Sequence, residues 1–392
     1  MIKHIAYFTL CSLFISCTPP KTENTAPKFS ATTQLEALTQ KAIMNLALIP
    51  PDSLNIPRSI NPDGSLNTVK SRDWTSGFYA GTLWQLYRFS KDKRLKDIAM
   101  VWTEYQTKEQ FDDHTHDLGF KIYCSFGEGY KLTKDETYKK VIISAANQLA
   151  QRFNEKVGAI KSWDFNAEEW KYPVIIDNMM NLEMLFEAAK LADDDRLYKI
   201  ADQHAQTTLN SHFRPDNSSV HVVDFDPPTG DIRSRITHQG YSDDSAWARG
   251  QAWGLYGFTL AYRATKNPAY LAQAQKIAHF FFMHPNLPED KIPYWDFNAP
   301  NIPNEERDAS AAAIAASALL ELCQYDKENS AKYIGWADAV LTSLSSTNYT
   351  ATTPPFFLNQ SVGSKPGNSE INTPITYADY YYVEGLLRRK EL

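Results

Sequence analysis

Two aspartates of this 392-residue chain each stand where an irregular segment turns into an apolar helix. Asp117 occurs in His116-Asp117-Leu118-Gly119-Phe120. Asp177, 60 residues later, occurs in Ile176-Asp177-Asn178-Met179-Met180-Asn181-Leu182. If the helical hairpins of the chain close into a ring, both carboxylates face the same mouth. Paired carboxylates in a cleft are typical of glycosidases, and apolar neighbours favour a raised pKa for Asp177, as a general acid needs.

Either aspartate is also explained as a helix N-cap, since Asp is a preferred residue there and contributes about 1 kcal/mol. For Asp117, capping does not account for the polar residues crowded around it, which are Asp112, Asp113, His114 and His116. The sequence therefore leaves both explanations open and favours a chemical role where the polar cluster is densest.

A third block runs from Gln239-Gly240-Tyr241 to Trp253 and contains Arg249. On a helix, Arg249 and Trp253 share one face, and a guanidinium binds a carboxylate ligand well in a bidentate geometry. The alternative is a structural arginine that pairs with Asp243 or Asp244.

The elements that position these residues are helical nearly throughout, because apolar residues recur at spacings of three and four. Every second helix is rich in Gly, Ala, Ser and Met and suits an inner ring, whereas the others carry mixed faces and suit an outer ring. Six such hairpins predict an all-α fold, an (α/α)6 toroid, with an open solenoid as the alternative. The predicted helices are 33–48, 76–90, 93–110, 118–132, 136–154, 177–192, 195–212, 245–264, 267–283, 308–325, 329–346 and 377–390.

Composition excludes several classes of function. A net charge of −6 and the lack of a long basic run argue against a nucleic-acid partner. No spacing of Cys and His indicates zinc, and we expect neither a metal nor an organic cofactor. Cys124 and Cys323 lie inside predicted helices, so no disulfide framework is expected.

The N-terminus has the pattern of a targeting segment. A basic start precedes the apolar run from Ile5 to Ile15, which is too short to span a membrane and ends at Ser16-Cys17. Residues 1–17 are therefore predicted to be a signal peptide of the bacterial lipoprotein type, with lipid attached at Cys17. Residues 18–33 are predicted to be a flexible tether, and residues 34–392 a single domain. This predicts an exported protein of a Gram-negative bacterium, periplasmic or anchored to a membrane only through its lipid.

Taken in order, the motifs above, together with Trp74-Thr75-Ser76-Gly77-Phe78, Asp308-Ala309-Ser310-Ala311 and Tyr377-Ala378-Asp379-Tyr380-Tyr381, resemble the unsaturated glucuronyl hydrolases, glycoside hydrolase family 88. The resemblance covers residues 35–390 and implies a six-hairpin α/α barrel. It also implies a hydrolase that removes 4,5-unsaturated uronic acid from the non-reducing end of lyase-generated oligosaccharides, from glycosaminoglycans or similar polymers. In that chemistry a proton is added to C4 of the enol ether and water to C5, so the carboxylate spacing rule of ordinary glycosidases does not apply.

The resemblance also implies a role for each matching residue. Asp177 corresponds to the general acid/base and Asp117 to the second essential carboxylate. The implied substrate-binding residues are His221, Gln239 and Arg249 for the uronate and its hydroxyls, and Trp74, Trp163 and Trp253 for the aromatic walls. Ser361 and Ser364 correspond to a Ser-x-x-Ser-x-Lys loop that contacts sulfate in some family members. Here the lysine is Lys365, one position early, so a plain polar surface loop is an equal alternative.

Two other functions compete with this one. A related family with the same barrel removes unsaturated galacturonyl residues from pectin fragments, but the block from Gln239 to Trp253 favours the glucuronyl family. A surface lipoprotein that binds glycans without cleaving them is the second alternative, and it leaves Asp117 and Asp177 unexplained. The expected partner is an unsaturated di- or oligosaccharide.

Overall fold

The computed structural model describes residues 1–4 and 29–392. Its α-helices alternate along the chain between an inner and an outer ring. A nine-residue π-helix, Gly119–Gly127, precedes the fourth of them. The α-helices are α1 Ala31–Asn45, α2 Phe78–Ser90, α3 Lys93–Glu104, α4 Glu128–Thr133, α5 Glu136–Ala150, α6 Asn178–Ala192, α7 Asp195–Ser211, α8 Ala248–Thr265, α9 Pro268–Met283, α10 Ala309–Tyr325, α11 Ser330–Leu344 and α12 Thr376–Glu391. This order agrees with the twelve predicted helices, with small shifts at their ends.

The inner helices pack against one another in a closed ring. In chain order, α2 contacts the π-helix, which contacts α6, followed by α8, α10 and α12, and α12 returns to α2. The intervening helices pack outside this ring against their neighbours in the chain. The predicted (α/α)6 toroid is therefore confirmed, and the open solenoid is excluded because the last inner helix contacts the first.

Small residues allow the inner helices to approach one another closely. Residues Ala309–Ala316 at the start of α10 are all buried. A Cβ atom at Gly77 or Gly81 would overlap backbone carbonyl oxygens of the π-helix. The Gly- and Ala-rich pattern that predicted an inner ring thus reflects direct backbone contact.

Short antiparallel strands occupy the connections, which were predicted to be loops. The strands are β1 Ile56–Ile60, β2 Leu66–Val69, β3 Phe153–Asn154, β4 Ala159–Ile160, β5 Pro173–Ile175, β6 Val222–Phe225, β7 Ile232–Ile236, β8 Ser361–Ser364 and β9 Ser369–Thr373. β5, β6 and β7 form one sheet, and the others pair as hairpins β1–β2, β3–β4 and β8–β9. None exceeds five residues, which is too short for an alternating pattern to be evident.

Three further predictions need correction. The predicted loop at Ser361–Pro366 begins with strand β8, and the predicted helix 93–110 ends at Glu104, followed by a short 3-10 helix. The predicted tether extends too far, because α1 begins at Ala31, where the Ser30 side chain accepts a hydrogen bond from the Thr33 amide. Cys17 and most of the predicted signal peptide and tether lie outside the described residues. Within the described ranges, no helix combines the length and apolarity needed to cross a bilayer.

Candidate active site

A cleft with a volume of about 200 Å³ lies where the inner helices begin. It brings together the predicted residues Asp117, Asp177, Trp74, Gln239 and Arg249. The full lining is Trp74, His116, Asp117, Phe120, Trp163, Phe165, Ile175, Asp177, His238, Gln239 and Arg249. The loops that precede different inner helices therefore meet at one rim, as the sequence predicts.

Asp177 follows strand β5 and stands at the start of α6. Its backbone is already helical, and its side chain caps no amide of the helix. The Oδ2 atom is buried without a hydrogen-bond partner. Burial raises the pKa of Asp177 to about 6, with Asp117 adding to the rise and His116 and Arg249 opposing it. The N-cap explanation is therefore wrong for Asp177, whose carboxyl holds its proton to a higher pH than an ordinary aspartate does.

Asp117 has a different environment. Thr115 Oγ1 donates a hydrogen bond of 2.6 Å to Asp117 Oδ2, and His116 Nε2 lies 3.2 Å from Oδ1. Burial raises the pKa of Asp117, but His116, Thr115 and Lys121 outweigh it, so the pKa lies below its ordinary value. The two carboxyls consequently differ in charge near pH 6, the arrangement expected of an acid and an anionic partner.

Lys121 is a buried cation that the sequence did not reveal. It lies on the π-helix with its side chain fully buried, and its Nζ atom is 2.6 Å from Asp112 Oδ2 and 3.6 Å from Glu109 Oε2. The polar cluster before Asp117 thus includes a charge network that anchors this loop to the π-helix. The signal was hidden because a single lysine interrupts an otherwise apolar helical pattern.

Asn181 links the two helices that carry the aspartates. It lies one turn after Asp177 on α6, and its Oδ1 atom accepts a hydrogen bond of 3.1 Å from the Phe120 amide at the start of the π-helix. A Cβ atom at Gly119 would lie 2.6 Å from the same oxygen and 2.7 Å from Asn181 Cα. This contact fixes the spacing between the segments that carry Asp117 and Asp177.

His221 lies behind Asp177 and does not line the cleft. Its Nδ1 atom accepts hydrogen bonds from the amides of His238 and Gln239, at 3.0 and 3.1 Å. These two donors place the ring proton on Nε2, which is 3.8 Å from Asp177 Oδ2. Burial, with His238 and Arg249 nearby, lowers the pKa of His221 well below its ordinary value, so the ring is neutral.

Arg249 is almost fully buried, with 1% of its surface exposed. It pairs with Asp308 Oδ2 at 3.2 Å and donates hydrogen bonds to the carbonyls of Val362 and Gly363. The alternative partners Asp243 and Asp244 are thus excluded. Because the carbonyl acceptors belong to β8, Arg249 also holds the β8–β9 hairpin against the inner ring.

The β8–β9 hairpin reaches the cleft through its backbone. The Gly363 carbonyl accepts a hydrogen bond of 3.3 Å from Gln239 Nε2. Ser361 is fully buried, and the Ser364 hydroxyl accepts a hydrogen bond from the Gly367 amide at 3.2 Å. Neither serine belongs to the cleft lining, and Lys365 pairs with Glu306 at 2.5 Å. The serines are thus separate from the other predicted site residues.

Trp253 was expected to form a wall of the cleft, and this expectation needs correction. Its side chain is fully buried, with ring centroids 5.3 Å from Phe120 and 5.5 Å from Tyr381. It therefore supports Phe120 from behind, because it lies on the core-facing side of α8. Trp74 and Trp163, in contrast, do line the cleft.

Sequence reasoning missed three residues of the lining that have no matching motif, namely Phe165, Ile175 and His238. Phe165 had a weak signal, since it lies two residues after Trp163 in a long loop. Among the described residues, no group of three or more His, Cys, Asp or Glu side chains is arranged to hold a metal ion. Cys124 and Cys323 are both buried and unpaired with each other.

Comparison with known proteins places this geometry in a family. The family model for Glycosyl Hydrolase Family 88 matches residues 56–264. An unsaturated glucuronyl hydrolase of Formosa agariphila is 48% identical over 90% of this chain and 89% of its own length. The chain belongs to glycoside hydrolase family 88. An unsaturated chondroitin disaccharide hydrolase of Streptococcus pyogenes is 33% identical, covering 85% of each chain.

Solved structures agree with the family 88 assignment. The crystal structure of an unsaturated glucuronyl hydrolase specific for heparin superposes with a TM-score of 0.89 and 46% identity, covering 92% of this chain and 97% of that one. The chain is thus a glycoside hydrolase that removes 4,5-unsaturated uronic acid from oligosaccharides, as the motifs implied. The pectin-directed and non-catalytic alternatives receive no support from these matches.

Proposed function

We propose that Asp177 is the acid that protonates C4 of the unsaturated uronate, and that Asp117 is its ionised partner. The observation that carries this proposal is the contrast between the two carboxyls. Asp177 is buried with one oxygen unpartnered and a pKa of about 6. Asp117 accepts a hydrogen bond and has a pKa below its ordinary value. A general acid must hold its proton near the working pH.

In the proposed reaction, the Asp177 proton forms a C–H bond at C4 while the C4=C5 electron pair is drawn from C5. The positive charge that develops at C5 and the ring oxygen is stabilised by the Asp117 carboxylate. Water then adds to C5 and gives a proton back to Asp177, which restores the acid. The resulting hemiketal opens, and the aglycone leaves from C1 with no direct attack on that carbon.

Substrate binding is proposed to rest on one charge and several donors. Arg249 lies in the cleft wall and supplies the only guanidinium of the lining, which suits the uronate carboxylate. Gln239 adds an amide to the cleft lining, whereas His221 holds its Nε2 proton 3.8 Å from Asp177 Oδ2, behind the acid. Trp74 and Trp163 supply apolar faces for the sugar ring. These roles are consistent with a site for one anionic pyranose.

We propose substrates derived from glycosaminoglycans, without a requirement for sulfate on the neighbouring sugar. The proposal rests on relatives named for heparin and for chondroitin disaccharides. It rests also on Lys365, whose charge is taken up by Glu306 at 2.5 Å. The two serines of the hairpin lie outside the cleft lining, and that lining contains no lysine that could bind a sulfate.

The experiment is a panel of lyase-made disaccharides from chondroitin, hyaluronan, heparin and ulvan, with and without sulfate. Turnover is followed as loss of the ultraviolet absorbance of the conjugated C4=C5 bond. We expect Asp177→Asn to abolish this loss while it still binds substrate. Asp135→Asn is the matched control, because Asp135 is a true N-cap that accepts from the Thr137 amide at 2.7 Å. Full turnover by Asp177→Asn would overturn the assigned role.

We also propose that the chain is exported and anchored through lipid at Cys17. The support is the N-terminal pattern of a basic start, a short apolar run and a cysteine after Ser16. Incorporation of labelled palmitate into the full chain, lost in Cys17→Ala, is the expected result. A full-length wild-type chain that takes up no label would contradict it.

A further inference from the structure

The exposed residues at the mouth of the cleft have aromatic side chains and lie on one side of it. Of the eleven lining residues, only Phe165 and His238 are exposed. Asp177 and Arg249, by contrast, are buried at the inner end. A sugar chain whose first ring occupies the inner end must leave past the exposed residues. Its second ring therefore meets Phe165 and His238.

Phe165 is held in a fixed orientation by rings behind and beside it. Its ring stacks on Trp163 with a centroid distance of 4.7 Å and an interplanar angle of 20°. The buried Trp170 contacts it edge-on at 5.5 Å, and His238 lies 5.7 Å away. Even so, 48% of Phe165 remains exposed. The ring thus forms a supported platform at the entrance.

The loop that carries Phe165 is anchored at the two residues that precede it. Trp163 forms a bridge with Thr115, two residues before Asp117. The Asp164 carboxylate pairs with Arg152 and Lys161, each at 2.9 Å. An exposed apolar ring held in this way costs little entropy when a ligand binds to it. A lone solvent-exposed phenylalanine would not need such support.

We propose that Phe165, backed by Trp163 and flanked by His238, binds the sugar that follows the unsaturated uronate by stacking on the apolar face of its ring. This inference rests on the proposed function of the inner end of the cleft. Stacking uses C–H groups that point to one face of the sugar ring and needs no charge on the sugar. The chain therefore selects at this position a pyranose with an open C–H face, whether or not it carries sulfate.

The test compares two substrates that share the unsaturated uronate but differ in the group attached through the glycosidic bond. One is an unsaturated disaccharide, and the other is the methyl glycoside of the same uronate, which cannot reach Phe165. We expect Phe165→Ala to raise KM for the disaccharide about twofold to tenfold, the range of an aromatic contact. The kcat value and both constants for the methyl glycoside should stay within twofold of wild type. Phe165→Tyr should restore the disaccharide KM.

Phe111→Ala is the matched control, since Phe111 is 66% exposed and lies outside the cleft lining. The proposal is overturned if Phe165→Ala raises KM equally for both substrates or leaves the disaccharide KM unchanged. It is also overturned if the increase in KM is confined to sulfated disaccharides, because stacking does not involve the sulfate. Failure of the proposed function is distinguishable, because Asp177→Asn would then turn over both substrates, whatever the effect of Phe165→Ala.

Discussion

Substituting the catalytic candidate Asp177 with Asn is predicted to remove activity and to stabilise the folded protein at neutral pH. In the native state the carboxylate is buried and its Oδ2 atom has no hydrogen-bond donor, whereas the unfolded chain carries the same charge in water. Above about pH 6 this difference opposes folding in full. Below about pH 4 the carboxyl is protonated in both states, and the difference disappears.

The magnitude follows from the pKa. The rise from 3.8 to about 6 corresponds to about 3 kcal/mol at ~1.36 kcal/mol per pKa unit. This is an upper limit, since the amide of Asn also loses water on burial. Near pH 4.5 the same linkage leaves about 1 kcal/mol. With an unfolding entropy of about 2.1 cal/mol/K per residue, 3 kcal/mol raises the Tm by about 4 °C.

The assay is scanning calorimetry of wild type and Asp177→Asn at pH 7.5 and pH 4.5, beside turnover of an unsaturated disaccharide. We expect the variant to melt higher at pH 7.5, with the gain mostly lost at pH 4.5, and to show no turnover. Asp135→Asn serves again as the control, because this N-cap carboxylate is stabilising and its loss should give no gain. An equal rise in Tm at both pH values, or no rise at pH 7.5, would refute the conclusion that burial destabilises the ionised Asp177 carboxylate.

Three further outcomes are expected. The kcat/KM value should fall about tenfold per pH unit well above pH 6, because Asp177 must be protonated; a profile flat to pH 8 would contradict this. Asn181→Ala should lower the free energy of unfolding by about 1–3 kcal/mol, since the buried Phe120 amide loses its acceptor. It should also change kcat more than KM, and denaturant unfolding and steady-state kinetics test the two expectations. Arg249→Lys should raise KM at least about tenfold, because one ammonium cannot replace the guanidinium fork; an unchanged KM would remove Arg249 from uronate binding.

The helical framework was predictable because its signal is local. Apolar residues at spacings of three and four indicate each helix, and a Gly- and Ala-rich composition distinguishes the inner helices from the outer ones. The order of these helices then places Asp117 and Asp177 at one rim without any knowledge of contacts. The short strands escaped prediction because segments of two to five residues are too brief to show a period.

Long-range partners could not be predicted, because sequence distance does not indicate spatial distance. Arg249 has two nearby aspartates in the chain, yet it pairs with Asp308, 59 positions away. The same limit applies to Trp253, whose motif says nothing about whether the ring faces the cleft or the core. The roles assigned to Asp117 and Asp177 in catalysis stay predictions until variants are measured.

The closure of the inner ring has a consequence for how the protein folds. Helix α12 packs between α10 and α2 and follows the other described helices in the sequence, with Tyr377 and Tyr381 almost fully buried. Until it is synthesised, the apolar faces of its two neighbours stay open to water. Contacts between the first and last inner helices join segments that are far apart in the sequence, which slows folding. The cleft consequently assembles only when the whole ring does, and a fragment that lacks α12 cannot hold it.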